Sequence, residues 1–599
     1  LIRTYIRFLA AIAALCLSSC SGGKAPGSAQ EDIRLLLLPF ENDSSDAALN
    51  WLTPVSSAVL EYDLNSVAHW TVLRGDSVRN IGDSRANRVL EGYFAVQQNK
   101  LTLHAFFEEP LDRKILRVIV REGPANAGIQ PLLDSLAKEL HPTARPFSSQ
   151  DPAALQSYGE ALQTPDPAAR IRLLETATTQ DPKLSAAGVV LGELLLSRGD
   201  GPHAAEVASR GARNAADPID KARLEYLAAT ARDDFGSREK SLQTLAKLAP
   251  NANIYDLLGQ LHTGARKYRE AIQDYEAVAR LEPRNPGPYN FLGYLYAYLH
   301  DLPNAQKNLD QYGKLAAPND PNPSDSMGEV HFLLGDFAAA ERYFLESHAK
   351  SPAASNGREL LKAATALLMT GDVPGADAIF QKYLDLFKNP DPQANDIPRA
   401  QWEFFSGRRR QAMARLERLL NSSNPDTFAY AGAQLSFWKL MTGDRYAGAI
   451  FSMNARARAT NPGLRSLAAV CQWLAQPTTQ GPPPNPWVQA VGMVLLRQLT
   501  PAAPVLEKVY RETPPTADGD VRALLAWVDL ENKQAESARP LVDLYPLVFP
   551  APDALFAGLT FPKFLAARAE SLKIQHNDSE AQRMQQLANR FAGDVPDRF

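Results

Sequence analysis

The residues of this 599-residue chain that could do chemistry are three cysteines, nine histidines and a large set of carboxylates. Cys16 and Cys20 lie four positions apart, a spacing open to a disulfide, half a metal site or a covalent modification. A structural zinc site needs four ligands, and no second Cys/His cluster stands elsewhere to complete one. Ser21-Gly22-Gly23-Lys24 has the letters of a phosphate-cradling loop but no preceding strand, so nucleotide binding is not expected. Neither Gly-x-Ser-x-Gly nor His-Glu-x-x-His occurs. The histidines lack metal-ligand spacing; His262 and His331 fall on helices where a packed or solvated imidazole is expected. No carboxylate pair is singled out for acid–base work. These residue types predict no enzyme, no cofactor and no metal.

The surroundings of the two early cysteines say what they are for. Arg3 and Arg7 precede a run of apolar or small residues, Phe8 to Leu17, and a polar, Gly-rich stretch follows from Ser21. This order describes a secretory signal, and the run falls short of the ~20 apolar residues that span a bilayer. Leu17-Ser18-Ser19-Cys20 resembles the lipobox of bacterial lipoproteins. The resemblance implies that residues 1–19 are removed as a signal peptide, that Cys16 leaves with them, and that Cys20 becomes the lipidated first residue. Residues 20–31 would then form a tether reaching at most ~35 Å at ~3.3 Å per residue. One acyl chain anchors only marginally, at ~0.8 kcal/mol per buried CH2; the three chains of that family imply a lasting membrane anchor. The expected address is the bacterial cell envelope, facing the periplasm, and Ser21 in place of an aspartate tilts it toward the outer membrane.

Composition is ordinary for a globular protein, 45% hydrophobic and 22% charged, with a net charge of -4. No basic face is evident, so nucleic acid is not an expected partner. The one tight basic run, Arg408-Arg409-Arg410, is expected at a solvated corner between helices.

Residues 32–145 read as a small α/β domain. Ile33 to Leu38 is a continuous apolar run ending at Pro39, which suits a buried strand. A helix is expected from about Ala47 to Asp63, a strand at Trp70–Leu73, a helix at about Asp76–Arg85, a three-stranded meander from Arg88 to Arg121, and a helix at Gly128–Leu140. Pro39-Phe40-Glu41-Asn42 and Val89-Leu90-Glu91-Gly92 match two motifs of the TolB amino-terminal-like domain, which this region resembles. The resemblance brings no catalytic residues.

From about Pro152 the chain repeats. Alanines followed four residues later by a large apolar side chain recur as Ala271/Tyr275, Ala305/Leu309, Ala340/Phe344, Ala376/Phe380, Ala412/Leu416 and Ala447/Phe451, at steps of 34 to 36. Leu258-Gly259, Leu292-Gly293 and Met327-Gly328 precede them, and turn glycines recur at 335, 371, 407 and 443. This is the tetratricopeptide (TPR) pattern of paired antiparallel helices. The small residues let two helices approach, and the large one fills the space beside them. The expected fold is therefore multidomain: the α/β domain, a TPR array over 150–475 within a superhelix of ten to twelve repeats, a Pro-rich break at 476–487, and irregular TPR-like helices over 488–599. TPR arrays bind through the face lined by first helices. Carrying that resemblance over gives Asp256, Gln260, Asn290, Tyr294, Tyr298, Asp325 and Glu329 as groove positions, with a protein or peptide as the expected partner. The pattern thus predicts a membrane-anchored scaffold. The alternative is the sensory part of a signalling pathway whose output domain lies on another chain.

Overall fold

The computed structural model describes residues 33–598, apart from 45, 68–69, 76–85, 353–355, 388, 478–480, 553 and 596. Cys16, Cys20, the tether and the helix expected at Asp76–Arg85 lie outside the described residues. Among those described, no helix is long and apolar enough to cross a membrane.

A five-stranded sheet opens the fold: β1 (Ile33–Asn42), β2 (Trp70–Arg74), β3 (Arg88–Gln97), β4 (Lys100–Glu108) and β5 (Ile115–Pro124), in spatial order β2-β1-β3-β4-β5. β1 runs parallel to both neighbours, and β3, β4 and β5 form the expected antiparallel meander. β1 does not stop at Pro39. It continues to Asn42, with its register against β3 shifting between Leu37 and Phe40. Pro39 is tolerated in a central strand because β2 pairs only as far as Leu37, leaving no ladder partner for the missing N–H. Leu35 and Leu37 face one side, under the helices Leu52–Leu64 and Gln130–Leu140, while Leu36 and Leu38 face the other. The two quoted motifs meet in space. Phe40 pairs in register with Gly92, and a Cβ at Gly92 would fall 2.5 Å from the Phe40 ring and 2.1 Å from the His104 carbonyl. Asn42 then closes the turn, donating to the Asp46 carbonyl (3.0 Å) and to Asn50 (2.8 Å).

From Pro152 to Ala592 the described chain is 25 α-helices, arranged as twelve antiparallel pairs plus the single helix Pro462–Ala475. The close approach anticipated within each pair is present. A Cβ on Gly259 would sit 2.7 Å from the Tyr275 ring, one on Gly293 2.6 Å from Leu309, and one on Gly328 2.6 Å from Phe344. The turns have a common build. Gly335 and Gly371 end first helices in the left-handed conformation, and the next residue, Asp336 or Asp372, caps the second helix by accepting an N–H three residues on. Ala447/Phe451 departs from the expected register: both are only partly buried, and Gly448 and Ser452 take the inner positions. The preceding helix, Pro425–Met441, is 17 residues long, and its Ser436 hydroxyl donates to the Gly448 carbonyl at 2.7 Å.

The chain divides into two compact units, one of Leu1–Leu261 with Gln273–Pro283 and one of His262–Ile272 with Arg284–Phe599. In the first, the sheet shares one hydrophobic core with the repeats as far as Val207, and Gly159 packs beneath Trp51 and Val55. In the second, one core runs from Phe332 to Phe591.

Candidate functional site

Asn290, Tyr294 and Tyr298 lie four apart on the helix Gly287–Tyr298 and so share a face. Asp325 and Glu329 stand the same way on Asn322–Leu334. In the second unit these faces meet. The Tyr294 hydroxyl donates to Glu329 Oε2 at 2.6 Å. Lys362, on the next first helix, Arg358–Thr370, donates to both Asp325 oxygens (2.8 and 2.7 Å) and to Glu329 Oε1 (2.7 Å). Its ammonium also lies 5.5 Å from the centre of the Phe344 ring. Burial pushes the Asp325 carboxyl up to about 6 despite the attraction of Lys362. Burial alone would lower the Lys362 ammonium, yet Glu329 and Asp325 together hold it above its ordinary value. Burial raises the Tyr294 hydroxyl, and the Glu329 charge raises it further.

Asn290 Oδ1 and the Tyr298 hydroxyl are buried with no hydrogen-bond partner among the described residues. The Tyr298 ring leans on Tyr268, centres 4.9 Å apart. Both rings line a cavity of about 400 Å³ in the same unit, with Arg266, Tyr510, Asp518 and Arg522. Three of its charges are tied together: Arg266 pairs with Asp518 at 2.8 Å and stacks 3.8 Å over Tyr510, and Arg522 reaches Asp518 at 3.3 Å. Asp256 and Gln260 belong to the first unit, where Gln260 Nε2 donates to Asp256 Oδ2 at 2.7 Å. Burial raises the Asp256 carboxyl.

Lys362 was missed by sequence reasoning, although a signal existed. It falls one repeat length beyond the Asp325/Glu329 pair, where a single cation can reach both carboxylates. Arg409 was misplaced. It is not at a solvated corner but fully buried, paired with Asp597 at 2.6 Å and donating to the Gly558 carbonyl at 2.9 Å. Its neighbour Arg408 grips Asp377 with two bonds of 2.7 Å. His331 is packed as expected, between Asp336 (3.0 Å) and Gln306 (3.1 Å), and burial lowers its imidazole. Cys471 is fully buried, its thiol pushed up to about 12 by burial.

The largest surprise is what covers the groove. Residues 543–556 carry Pro546, Pro550 and Pro552, which deny them a helix. They run across successive first helices of the second unit. The Tyr545 N–H donates to the Leu333 carbonyl (2.9 Å), and the Tyr545 ring packs edge-on against Phe337. Phe549 sits 5.3 Å from Phe332 and lies beneath Lys362 at 5.9 Å. The Tyr430 hydroxyl donates to the Pro552 carbonyl (2.5 Å), and Phe556 meets Phe437 at 5.2 Å. The turn glycines are docking points too: Gly335 against Tyr545, Gly371 against the Arg590 guanidinium, Gly407 against the Arg590 carbonyl and Gly443 against Arg598.

The recurring glycine-to-large-residue contact within pairs, with the 34-to-36 step, decides the repeat type. The helix pairs are TPR-like. No protein-family model matches the chain, and no curated protein matches it. Solved structures that it resembles include PilW, described as a widely conserved type IV pilus biogenesis factor (14% identity, 36% of this chain and 99% of that one, TM-score 0.30). Others are a tetratricopeptide repeat protein from Parabacteroides merdae (15% identity, 48% and 98%, TM-score 0.28) and YrrB, a TPR protein with an unusual peptide-binding site (16% identity, 30% and 91%, TM-score 0.24). At those scores the repeat assignment rests on the packing within this chain.

Proposed function

We propose that this chain is a non-catalytic scaffold, lipid-anchored through Cys20 in a bacterial cell envelope, that binds a partner protein on the first-helix surface left open by residues 543–556. The observation that carries the binding reading is a repeated exposed apolar side chain. Leu257 is 36% and Phe291 42% exposed, and they occupy the same repeat position 34 residues apart. Each is flanked by polar groups, Asp256 and Gln260 in one case, Asn290 and Tyr294 in the other. An apolar anchor beside hydrogen-bonding groups is the composition of a protein-binding surface. The anchor and the envelope address rest on the Leu17–Cys20 motif, and the TolB-like reading of the sheet rests on the Phe40 and Gly92 motifs.

Crosslinking followed by pull-down from membranes tests the surface. The parent chain should retain a partner that Asn290→Ala/Phe291→Ala loses; a variant that keeps every partner refutes the assignment. Cys20→Ser should move the chain to the soluble fraction, and its persistence in the membrane uncut would refute the lipid anchor.

A further inference from the structure

The second helix Gly201–Asn214, the first helix Pro218–Ala231 and the second helix Phe235–Leu248 border an open cleft of about 790 Å³ in the first unit, its charged side chains exposed to solvent. Four cationic side chains line it, Arg213, Lys221, Arg232 and Lys240, against one carboxylate, Glu225. The serine hydroxyls of Ser209 and Ser237 add hydrogen-bonding groups. Among the described residues none of the four cations has a carboxylate partner within ion-pair distance. Arg232 donates instead to the Ser209 hydroxyl (2.6 Å). Asp234, beside Arg232 in sequence, is engaged in capping: it accepts from the Ser237 N–H (3.1 Å) and hydroxyl (2.6 Å).

Neighbouring cations outside the cleft are treated differently. Arg238 pairs with Asp233 at 2.8 Å, Arg210 faces Glu206 at 3.9 Å, and Asp217 is taken by Arg145 at 2.6 Å. Acids are therefore at hand on these helices, and Asp233, Glu206 and Asp217 are taken by cations outside the cleft. Four cations facing one carboxylate repel one another, and a cleft focuses their field on whatever enters. An entering anion gains both the field and the open donors.

We infer that this cleft is a second binding site, and that its ligand is a carboxylate-rich segment of a partner protein. The volume falls within the range of sites that hold a multi-atom ligand and exceeds the need of a single small ion. The cations are spread over three helices, so they match a charge distributed along a chain. Only four are available, on a molecule of net charge -4, which disfavours the long, densely charged backbone of a nucleic acid.

Calorimetric titration of the full chain at low salt with octaglutamate tests the inference, with tripolyphosphate and a short single-stranded DNA as competitors. Octaglutamate should bind, more weakly as salt rises. Arg213→Gln/Lys240→Gln should weaken it about tenfold with unchanged helix content, each exposed charge pair contributing modestly. Glu225→Gln should tighten it about twofold, which keeps a test in hand should the double variant fold poorly. No binding by the parent, equal affinity in all three chains, or tighter binding of tripolyphosphate or DNA than of the peptide would overturn the assignment.

Discussion

Lys362→Met should destabilise the second unit by an amount that depends on pH. Methionine keeps an unbranched apolar stem against Phe344 and Phe549 and deletes only the ammonium. The side chains of Lys362, Asp325 and Glu329 are 16%, 24% and 18% exposed, so the change leaves two poorly hydrated carboxylates side by side without a cation. Removing one partner of a buried ion cluster costs about 3–5 kcal/mol. The parent already bears part of this load. Burial raises the Asp325 carboxyl even with Lys362 beside it, so holding it ionised at neutral pH already costs stability.

The sign follows from linkage. A carboxyl whose folded pKa is raised favours folding fully below its unfolded value, and that advantage is lost as pH rises through the folded value. In the variant the Asp325 carboxyl should be raised further, so its protonation on acidification relieves the repulsion. Lys362 stays charged throughout, its folded value lying above 10.5. The deficit should be about 3–5 kcal/mol near pH 7.5 and shrink to about 1–2 kcal/mol near pH 5. With two compact units, global unfolding is not a two-state measurement. Hydrogen exchange of peptides covering residues 322–370, in rising urea at both pH values, reads the local stability. Equal deficits at the two pH values would assign the loss to packing. No deficit at either would show that the cluster contributes nothing.

Three further outcomes follow from groups outside that cluster. Asp63 is fully buried and its carboxyl is pushed up to about 10 by burial and by Asp134. The folded state therefore holds one proton more than the unfolded chain from 3.8 upward, which lowers the stability of the first unit by about 1.4 kcal/mol per pH unit; Asp63→Asn should remove that contribution, read by hydrogen exchange of peptides covering residues 52–64 in rising urea between pH 5 and 8, and a variant whose local stability follows pH as the parent's does refutes the burial argument. Tyr545→Ala should cost about 3–5 kcal/mol and strip residues 543–556 of exchange protection; retained protection would place the docking energy elsewhere. Gly407→Ala should cost at least about 2 kcal/mol more than Gly199→Ala. Both glycines have positive φ, but only at Gly407 would a Cβ strike another segment, 2.0 Å from the Arg590 carbonyl; equal losses of local stability, read by hydrogen exchange of peptides covering each turn, would deny that the C-terminal segment is docked there.

The repeats were legible because their packing rule is local and recurs. Gly259 meets Tyr275, Gly293 meets Leu309 and Gly328 meets Phe344 at one fixed separation of 16 residues, so the constraint prints itself into the sequence at every pair. The sheet was legible for a related reason: alternation along each strand and short polar turns are properties of neighbouring residues. Register at Ala447 was not, because it depends on the length of the helix before it. Pairings over a long separation leave no period. Arg409 finds Asp597 across 188 residues and Tyr430 finds Pro552 across 122, so a buried guanidinium reads as a surface charge and a proline-rich strap reads as part of an irregular run of TPR-like helices.

The turn glycines show how one residue can satisfy two constraints of which only one is periodic. At 335, 371, 407 and 443 each ends a first helix at positive φ, which a repeat pattern exposes. Each also lies bare so that the C-terminal segment can approach, which no pattern exposes. That second constraint has a functional consequence. A groove of successive first helices is a binding surface only where the chain does not fill it. In the second unit residues 543–556 cover it from the helix Asn322–Leu334 to the helix Pro425–Met441, and Lys362 neutralises the acids beneath. The surfaces proposed for a partner are the Asn290–Tyr294 stretch ahead of the strap and, in the first unit, that around Leu257 and the basic cleft of Arg213 and Lys240. The repeats therefore divide their labour: those after Asn322 hold the chain's own C-terminal segment, and those before it keep the exposed apolar and cationic groups that a second molecule could engage.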